Sequence, residues 1–172
     1  MRPNKLITIE EEIQLTQRLG DELLAAGFNA SNSVIVTVST DYSACVGMWL
    51  RHHLSDAGEI CDGFGIDVPF PDEEWDKKYV DTMYETFKLH AKSFQQKYII
   101  FVEAGVIRGG NYDYIITWLK KHLDLNKKIF TLALYENKHS RFKSDYVGEY
   151  YDDEIEDLTF WWEKENRHWK NG

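Results

Sequence analysis

The chain has 172 residues, a net charge of −9, 43% hydrophobic residues and 28% charged residues. That suits one domain with one sizeable core, and the acidic balance excludes duplex nucleic acid as the main partner, because phosphate backbones need Lys and Arg gathered on one face. No run approaches the ~20 apolar residues of a membrane-spanning helix, so no membrane association is expected.

The first six residues, Met1 to Leu6, carry two basic side chains, but no apolar stretch follows, and no signal peptide is read. Ile7 to Phe28 places Ile9, Ile13, Leu15, Leu19, Leu23 and Leu24 on one half of a helical wheel. Glu10, Glu11, Gln14, Gln17 and Arg18 occupy the other half, so an amphipathic helix ending at Gly27 is predicted. Turn residues fill Asn29 to Ser33, and Val34 to Val38 reads as a strand buried on both faces. The polar loop Ser39-Thr40-Asp41-Tyr42 leads into a helix from Ser43 to Leu54, with Cys45, Val46, Trp49 and Leu50 on its buried side. Cys45 and Cys61 form no CxxC pair, so a reducing cytosol is the expected setting and both thiols are read as small core residues.

A further strand is predicted around Ile60 to Ile66, and Pro69-Phe70-Pro71 breaks the chain. Asp72 to Lys97 reads as a charged helix whose stripe of Trp75, Tyr79, Met83, Phe87 and His90 packs on the sheet or on a second subunit, the latter a homodimer. Tyr98 to Val102 is a buried strand, Glu103 to Gly110 a loop, and Asn111 to His122 a helix. Lys128 to Leu134 is another buried strand, and the chain from Tyr135 onward reads as loop-rich. Buried strands alternating with helices indicate a single α/β domain, residues 1–172, built on a parallel sheet flanked by helices.

The chemistry-bearing pattern is Tyr98 to Tyr112. A buried strand feeds a Gly-rich loop that opens a helix, where consecutive amides can hold a phosphate. Arg108 adds a fixed positive charge, Gly109 and Gly110 permit close approach, and Asn111 can cap the helix or donate to phosphate. The same pattern also fits a plain strand-to-helix turn. His52-His53 lies inside a predicted helix, where adjacent side chains diverge by about 100° and form no chelating pair. Asp145 to Asp157 holds seven acidic residues and no basic ones, which reads as a solvated flank or a gathering point for divalent cations.

Taken in order, these segments resemble the type I phosphoribosyltransferases, nearest to the xanthine-guanine and hypoxanthine salvage branch. The strand before Glu103, then Val106, Gly109 and the following helix, match that family's substrate-loop pattern. Ala133-Leu134-Tyr135 with Ser140 to Gly148 resembles its strand and F-x-P-D-Y segment, and Phe160-Trp161-Trp162-Glu163 its closing F-P-W-E. Ile9 to Leu24 resembles its leading helix, and Val34 to Leu50 its strand, pyrophosphate loop and helix. The resemblance implies a small hood from the C-terminal segment and a phosphorylated pentose or nucleotide as ligand. It implies Glu103 as the catalytic-site acid at the ribose hydroxyls, and Arg108, Gly109, Gly110 and Asn111 at the 5′-phosphate. Ser39 to Tyr42 take the pyrophosphate-loop position, and Lys138, Asp145, Trp161 and Trp162 are the base-recognition candidates. Mg²⁺ is the cofactor that the resemblance allows.

Several family positions are changed. Ala104 stands where a second carboxylate is expected, and Ile107 where an acid contacts the purine N7. Arg108 and Asn111 replace loop threonines, and Lys138 falls one residue beyond the family's lysine, leaving Asn137 in register. Asp41 puts a negative charge at the pyrophosphate position. Two unit charges ~4 Å apart at an effective dielectric of ~20 interact by roughly 4 kcal/mol, against that ligand unless Mg²⁺ intervenes. Two functional classes follow. One is a pentosyltransferase with a changed donor or acceptor, and the other is a non-catalytic nucleotide binder.

Overall fold

The computed structural model describes residues 5–38, 43–56, 58–66, 85, 97–122, 129–152 and 158–161. The chain runs β1 (Lys5–Ile7), α1 (Ile9–Ala25), β2 (Ser33–Val38), α2 (Ala44–Leu54), β3 (Asp62–Ile66) and β4 (Tyr98–Val106). It continues through α3 (Gly110–His122), β5 (Ile129–Asn137), β6 (Tyr146–Tyr151) and β7 (Leu158–Phe160). The predicted helix from Asp72 to Lys97 and its aromatic stripe lie outside the described residues, apart from Glu85 and Lys97.

Five strands form one parallel sheet in the order β3-β2-β4-β5-β6. β2 is buried along its whole length, as its run of Val and Ile requires between two layers of helix. One face packs Leu19, Leu23, Val46 and Leu50 of α1 and α2 against Ile35, Ile100, Val102 and Leu132. The other packs Tyr112 and Ile115 of α3 against Val36, Ile99 and Phe101.

The sequence reading is corrected at four places. The first is α1, which starts at Ile9 because Thr8 accepts from the Glu11 amide and Glu11 reaches back to the Thr8 amide, a capping box. Its buried residues are Glu12, Thr16, Leu19, Gly20 and Leu23, whereas Ile9 and Leu24 are exposed. α2 crosses close over Gly20, where a Cβ would overlap the His53 ring, so the buried face is rotated from the purely apolar stripe. His53 is held by Asp21 at 2.8 Å. The second is Glu103 to Val106, which continues β4 instead of forming a loop, because these residues pair with Ala133, Tyr135 and Glu136 of β5. The third is the region after Tyr135. β5 extends to Asn137 and β6 adds an edge strand, tied to β5 although only Lys138–Asp145 connects two parallel strands. Parallel neighbours usually need a crossover of a dozen or more residues. Here two side-chain clips replace it. The Asp145 carboxylate accepts from the Thr131 amide (2.8 Å) and hydroxyl (3.0 Å), and the Lys143 ammonium bonds the Lys138 carbonyl (2.8 Å). The fourth is Cys45, which is half-exposed, whereas Cys61 is buried and burial pushes its thiol up to about 11.

The two ends of the described chain meet. β1 and β7 form a parallel pair with Ile7 opposite Phe160. Leu158 and Phe160 pack against the face of β4 at Gly105. No described helix is long and apolar enough to cross a membrane.

Candidate functional site

The sheet order creates a topological switch point. β2 and β4 are hydrogen-bonded neighbours running in parallel, yet the chain leaving β2 turns into α2 on one face and the chain leaving β4 turns into α3 on the other. In open α/β sheets such a divergence is where a ligand crevice forms, outside the carboxyl ends of the two strands. Ser43 fixes one wall. Its side chain is fully buried and does not cap α2; its hydroxyl instead accepts from the Ala104 amide at 3.0 Å. The start of α2 is thereby bonded directly to β4. Ser39, Thr40, Asp41 and Tyr42, the pyrophosphate-loop candidates, lie outside the described residues between Val38 and Ser43.

The other wall is the turn Ile107-Arg108-Gly109. Gly109 has φ +75°, which L side chains rarely adopt, and a Cβ there would overlap Phe142 and Ser140. Its carbonyl accepts from the Asp113 amide at 3.0 Å and so opens α3. That leaves the first amides of α3, beginning at Gly110, without intrahelical partners at the helix's positive end. Tyr112 fixes the helix start. It is fully buried, and its hydroxyl lies against the carbonyls of Phe101, at 3.1 Å, and Leu132. Burial holds its pKa well above the ordinary tyrosine range. Arg108 and Ile107 are exposed, and Arg108 has no ion pair among the described residues. An exposed guanidinium is satisfied by water, so no neighbouring acid is required to keep it there. The Asn111 backbone is part of α3.

Glu103 is half-buried near the carboxyl end of β4, with its charge felt by Tyr112 on the α3 side. Ala104 faces the opposite way, fully buried in the cluster with α1 and α2. Lys138 follows the end of β5 and is exposed, 3.4 Å from the Asp152 carboxylate. Asn137 is buried, its side-chain oxygen accepting from the His139 amide. The carboxyl edge therefore gathers Glu103, Arg108, Gly109, Gly110 and Lys138. It does not gather Asp145, whose carboxylate is bonded to Thr131 at the amino start of β6. Trp161 follows β7 on the α1 side, its indole N–H bonded to Glu12 at 2.9 Å. Trp162 lies outside the described residues.

Beside the edge, a cleft of about 270 Å³ opens between α2 and β3, lined in part by Thr37, Ala44, Met48 and Arg51. Among the described residues no three His, Cys, Asp or Glu side chains gather to hold a metal. With Ala104 in place of a second acid, Glu103 is the one carboxylate that the described part of β4 offers near the edge, fewer than a Mg²⁺ ion held by protein alone would need.

Three features of this region have no clear sequence signal. Ser43 is an ordinary N-cap type. Glu136 is a fully buried acid inside an apolar strand, receiving the Ser144 amide at 2.8 Å and Lys143 at 3.5 Å. Glu12 is one acid among several in the first turn of α1.

No protein-family model matches the chain, and no curated protein matches it. Solved structures do match. A Helicobacter pylori xanthine-guanine-hypoxanthine phosphoribosyltransferase aligns over 100% of both chains, with a TM-score of 0.66 and 15% identity. A purine phosphoribosyltransferase from Pyrococcus horikoshii aligns over 92% of this chain and 93% of its own, at TM-score 0.63 and 16% identity. A hypothetical protein from Neisseria gonorrhoeae with bound ppGpp covers 100% of this chain and 99% of its own, at TM-score 0.62 and 12% identity.

Proposed function

We propose that this chain, which has the type I phosphoribosyltransferase fold, binds a phosphorylated pentose or nucleotide at the β2/β4 edge. The reaction class is phosphopentosyl transfer to or from a base-like acceptor. The observation that carries this reading is the switch point itself. A Gly109-pinned turn aims the start of α3 at the crevice, with Arg108 beside it and Glu103 below it on β4.

The roles follow from charge and reach. The free amides of α3 and the Arg108 guanidinium suit a terminal phosphate, since a planar fork of donors meets phosphate oxygens bidentately. Glu103 is the acceptor for ribose hydroxyls. Transfer at a pentose passes through a cationic, oxocarbenium-like sugar, and a nearby carboxylate favours that charge. Mg²⁺, which prefers phosphate oxygens and water to all-protein cages, would enter with a pyrophosphorylated ligand.

A second reading, non-catalytic nucleotide binding, is favoured by Ala104 and Ile107. The place of a second acid is taken by a buried packing residue, and Ile107 exchanges no proton. The fold neighbour solved with bound ppGpp is in keeping with a nucleotide ligand.

Calorimetric titration with phosphoribosyl pyrophosphate (PRPP), GMP and ribose 5-phosphate, each with and without Mg²⁺, tests both readings. Binding of at least one of the three is expected, and it should be lost on blocking the edge. Absence of binding by all three, with Mg²⁺ present, overturns the proposal. GMP binding without any turnover of PRPP and a purine selects the second reading.

A further inference from the structure

Glu12 is a carboxylic acid with no exposed surface, in a helix whose cap is already supplied by Thr8 and Glu11. Its Oε2 accepts from the Trp161 indole N–H at 2.9 Å, joining residues 149 positions apart. Its Oε1 has no hydrogen-bond partner among the described residues. Two further buried oxygens are equally unpartnered: the Thr16 hydroxyl, one turn along the same face of α1, and the Tyr135 hydroxyl on β5. Buried polar atoms are normally paired, so this small group calls for an explanation beyond packing.

The bond joins two parts of the fold that matter to the site. Trp161 directly follows β7, whose Phe160 and Leu158 pack on Gly105 of β4, two residues beyond Glu103. Burial raises the Cys45 thiol at the start of α2, and Glu12 lies close enough for its charge to add to that. Glu12 thus stands between α1, α2 and the C-terminal segment on the α1 side of the crevice.

We propose that Glu12 is a positioning residue that holds Trp161 and the C-terminal strand against β4 under the control of a single proton. A neutral carboxyl leaves Oε1 as one more unmade hydrogen bond, as the Thr16 and Tyr135 hydroxyls are, and places no charge in the buried surroundings. An ionised carboxylate would be a buried charge with one donor among the described residues, the Trp161 indole, and a buried charge short of partners costs far more than an unmade neutral bond. The ionisable groups that feel its charge are Cys45 on α2 and Tyr135 on β5, and Tyr135 in turn faces Glu11 and the Lys5–Glu149 pair joining β1 to β6. Lys5 is already matched by Glu149 at 2.6 Å, and the remaining groups are anionic or neutral. Burial accordingly pushes Glu12 up to about 7, with the Trp161 bond pulling the other way. Protonation lets Glu12 stay buried against Trp161, whereas ionisation favours an opened, hydrated arrangement with a looser hold on Trp161, because the single indole bond offsets only part of the desolvation of the charge. The structural part of this inference needs no ligand; its consequence for binding rests on the edge being the nucleotide site.

The test is a pH titration of the ¹⁵N-labelled full chain followed by NMR, with the Trp161 indole signal assigned by its loss in Trp161→Phe. The wild-type signal is expected to shift with a midpoint near 7. In Glu12→Gln, which keeps an acceptor for the indole, the signal should stay fixed through that range. A wild-type signal that does not titrate, or a midpoint unchanged in Glu12→Gln, overturns the proposal. For the consequence, the GMP affinity of wild type relative to Glu12→Gln should fall between pH 6 and pH 8. A ratio that is constant across this range overturns that consequence. If GMP binds neither protein at either pH, the nucleotide reading fails while the indole titration still decides the role of Glu12.

Discussion

Arg108 and Glu12 illustrate opposite ways in which a charged residue can bear on this site. Arg108 is exposed beside the free amides of α3. Replacing it with Ala should weaken phosphorylated-ligand binding by roughly 1.5–3 kcal/mol, the range for a hydrogen bond to a charged group. Because water already satisfies the guanidinium, the melting temperature should hardly move; titration calorimetry and a thermal melt together check this. A variant that loses stability and keeps full ligand affinity would make Arg108 structural. Glu12 is buried, and its pKa is raised from 4.5 to about 7. The folded state therefore holds the proton more tightly than the unfolded chain. Its contribution to stability is fully present below pH 4.5, declines as pH rises to about 7, and changes no further above that. Urea unfolding from pH 4.5 to pH 8 should show this decline in wild type, and the difference from Glu12→Gln should isolate it. A wild-type curve parallel to that of the variant would remove Glu12 from the pH dependence.

Among the elements, β4 and the β5–β6 pair set the geometry of the edge. A Gly-containing stretch after Val102 looks like the start of a loop, but pairing with β5 carries the strand on to Val106. Glu103 is consequently part of a ladder, with its direction set by strand alternation. β6 lacks the alternating pattern of a half-buried strand, since its burial runs as two partly buried residues, one buried, two exposed and one buried. Besides its ladder with β5, its start is fixed by Asp145, bonded to both the amide and the hydroxyl of Thr131. Asp145→Ala should lower stability by about 1.5–3 kcal/mol in urea unfolding, as charged hydrogen bonds are lost and a buried amide is left unpaired. Ligand affinity at the β2/β4 edge should be nearly unchanged. A large loss of affinity at full stability would instead return Asp145 to the list of base-recognition candidates.

For the molecule as a whole, the fold is that of solved purine phosphoribosyltransferases, and the proposed site on its edge carries residues that bear on which reaction it could run. Ile107 offers no proton and Ala104 is buried packing, and the sequence resemblance puts an acid, Asp41, in the segment proposed as the pyrophosphate loop. General acid–base assistance is typically worth about 10²–10⁴-fold. Turnover of guanine, xanthine or hypoxanthine with PRPP should therefore be weak or undetectable at micromolar enzyme, and a standard spectrophotometric assay checks it. Robust turnover of any of the three would show that the changed positions are not needed for the reaction.

The sequence by itself determined the layering. Runs such as Val34 to Val38 and Tyr98 to Val102 are too apolar for any place but the middle of a covered parallel sheet, and the polar segments between them had to lie at its ends. The Gly-rich turn after β4 was legible for the same local reason, since a strand entering a helix through Gly109 needs a backbone that other residues resist. Only the tertiary structure decided which acids were buried. Glu12 and Glu136 sit in ordinary local contexts, and their environments come from Trp161, Lys143 and Ser144, partners distant along the chain or across a turn. It also decided that β1 and β7 meet over β4 and that a short connection can join two parallel strands. Local periodicity records which face of an element is apolar. It carries no information about which remote side chain arrives to pair with a polar group on that face, and at this edge that pairing is what shapes the site.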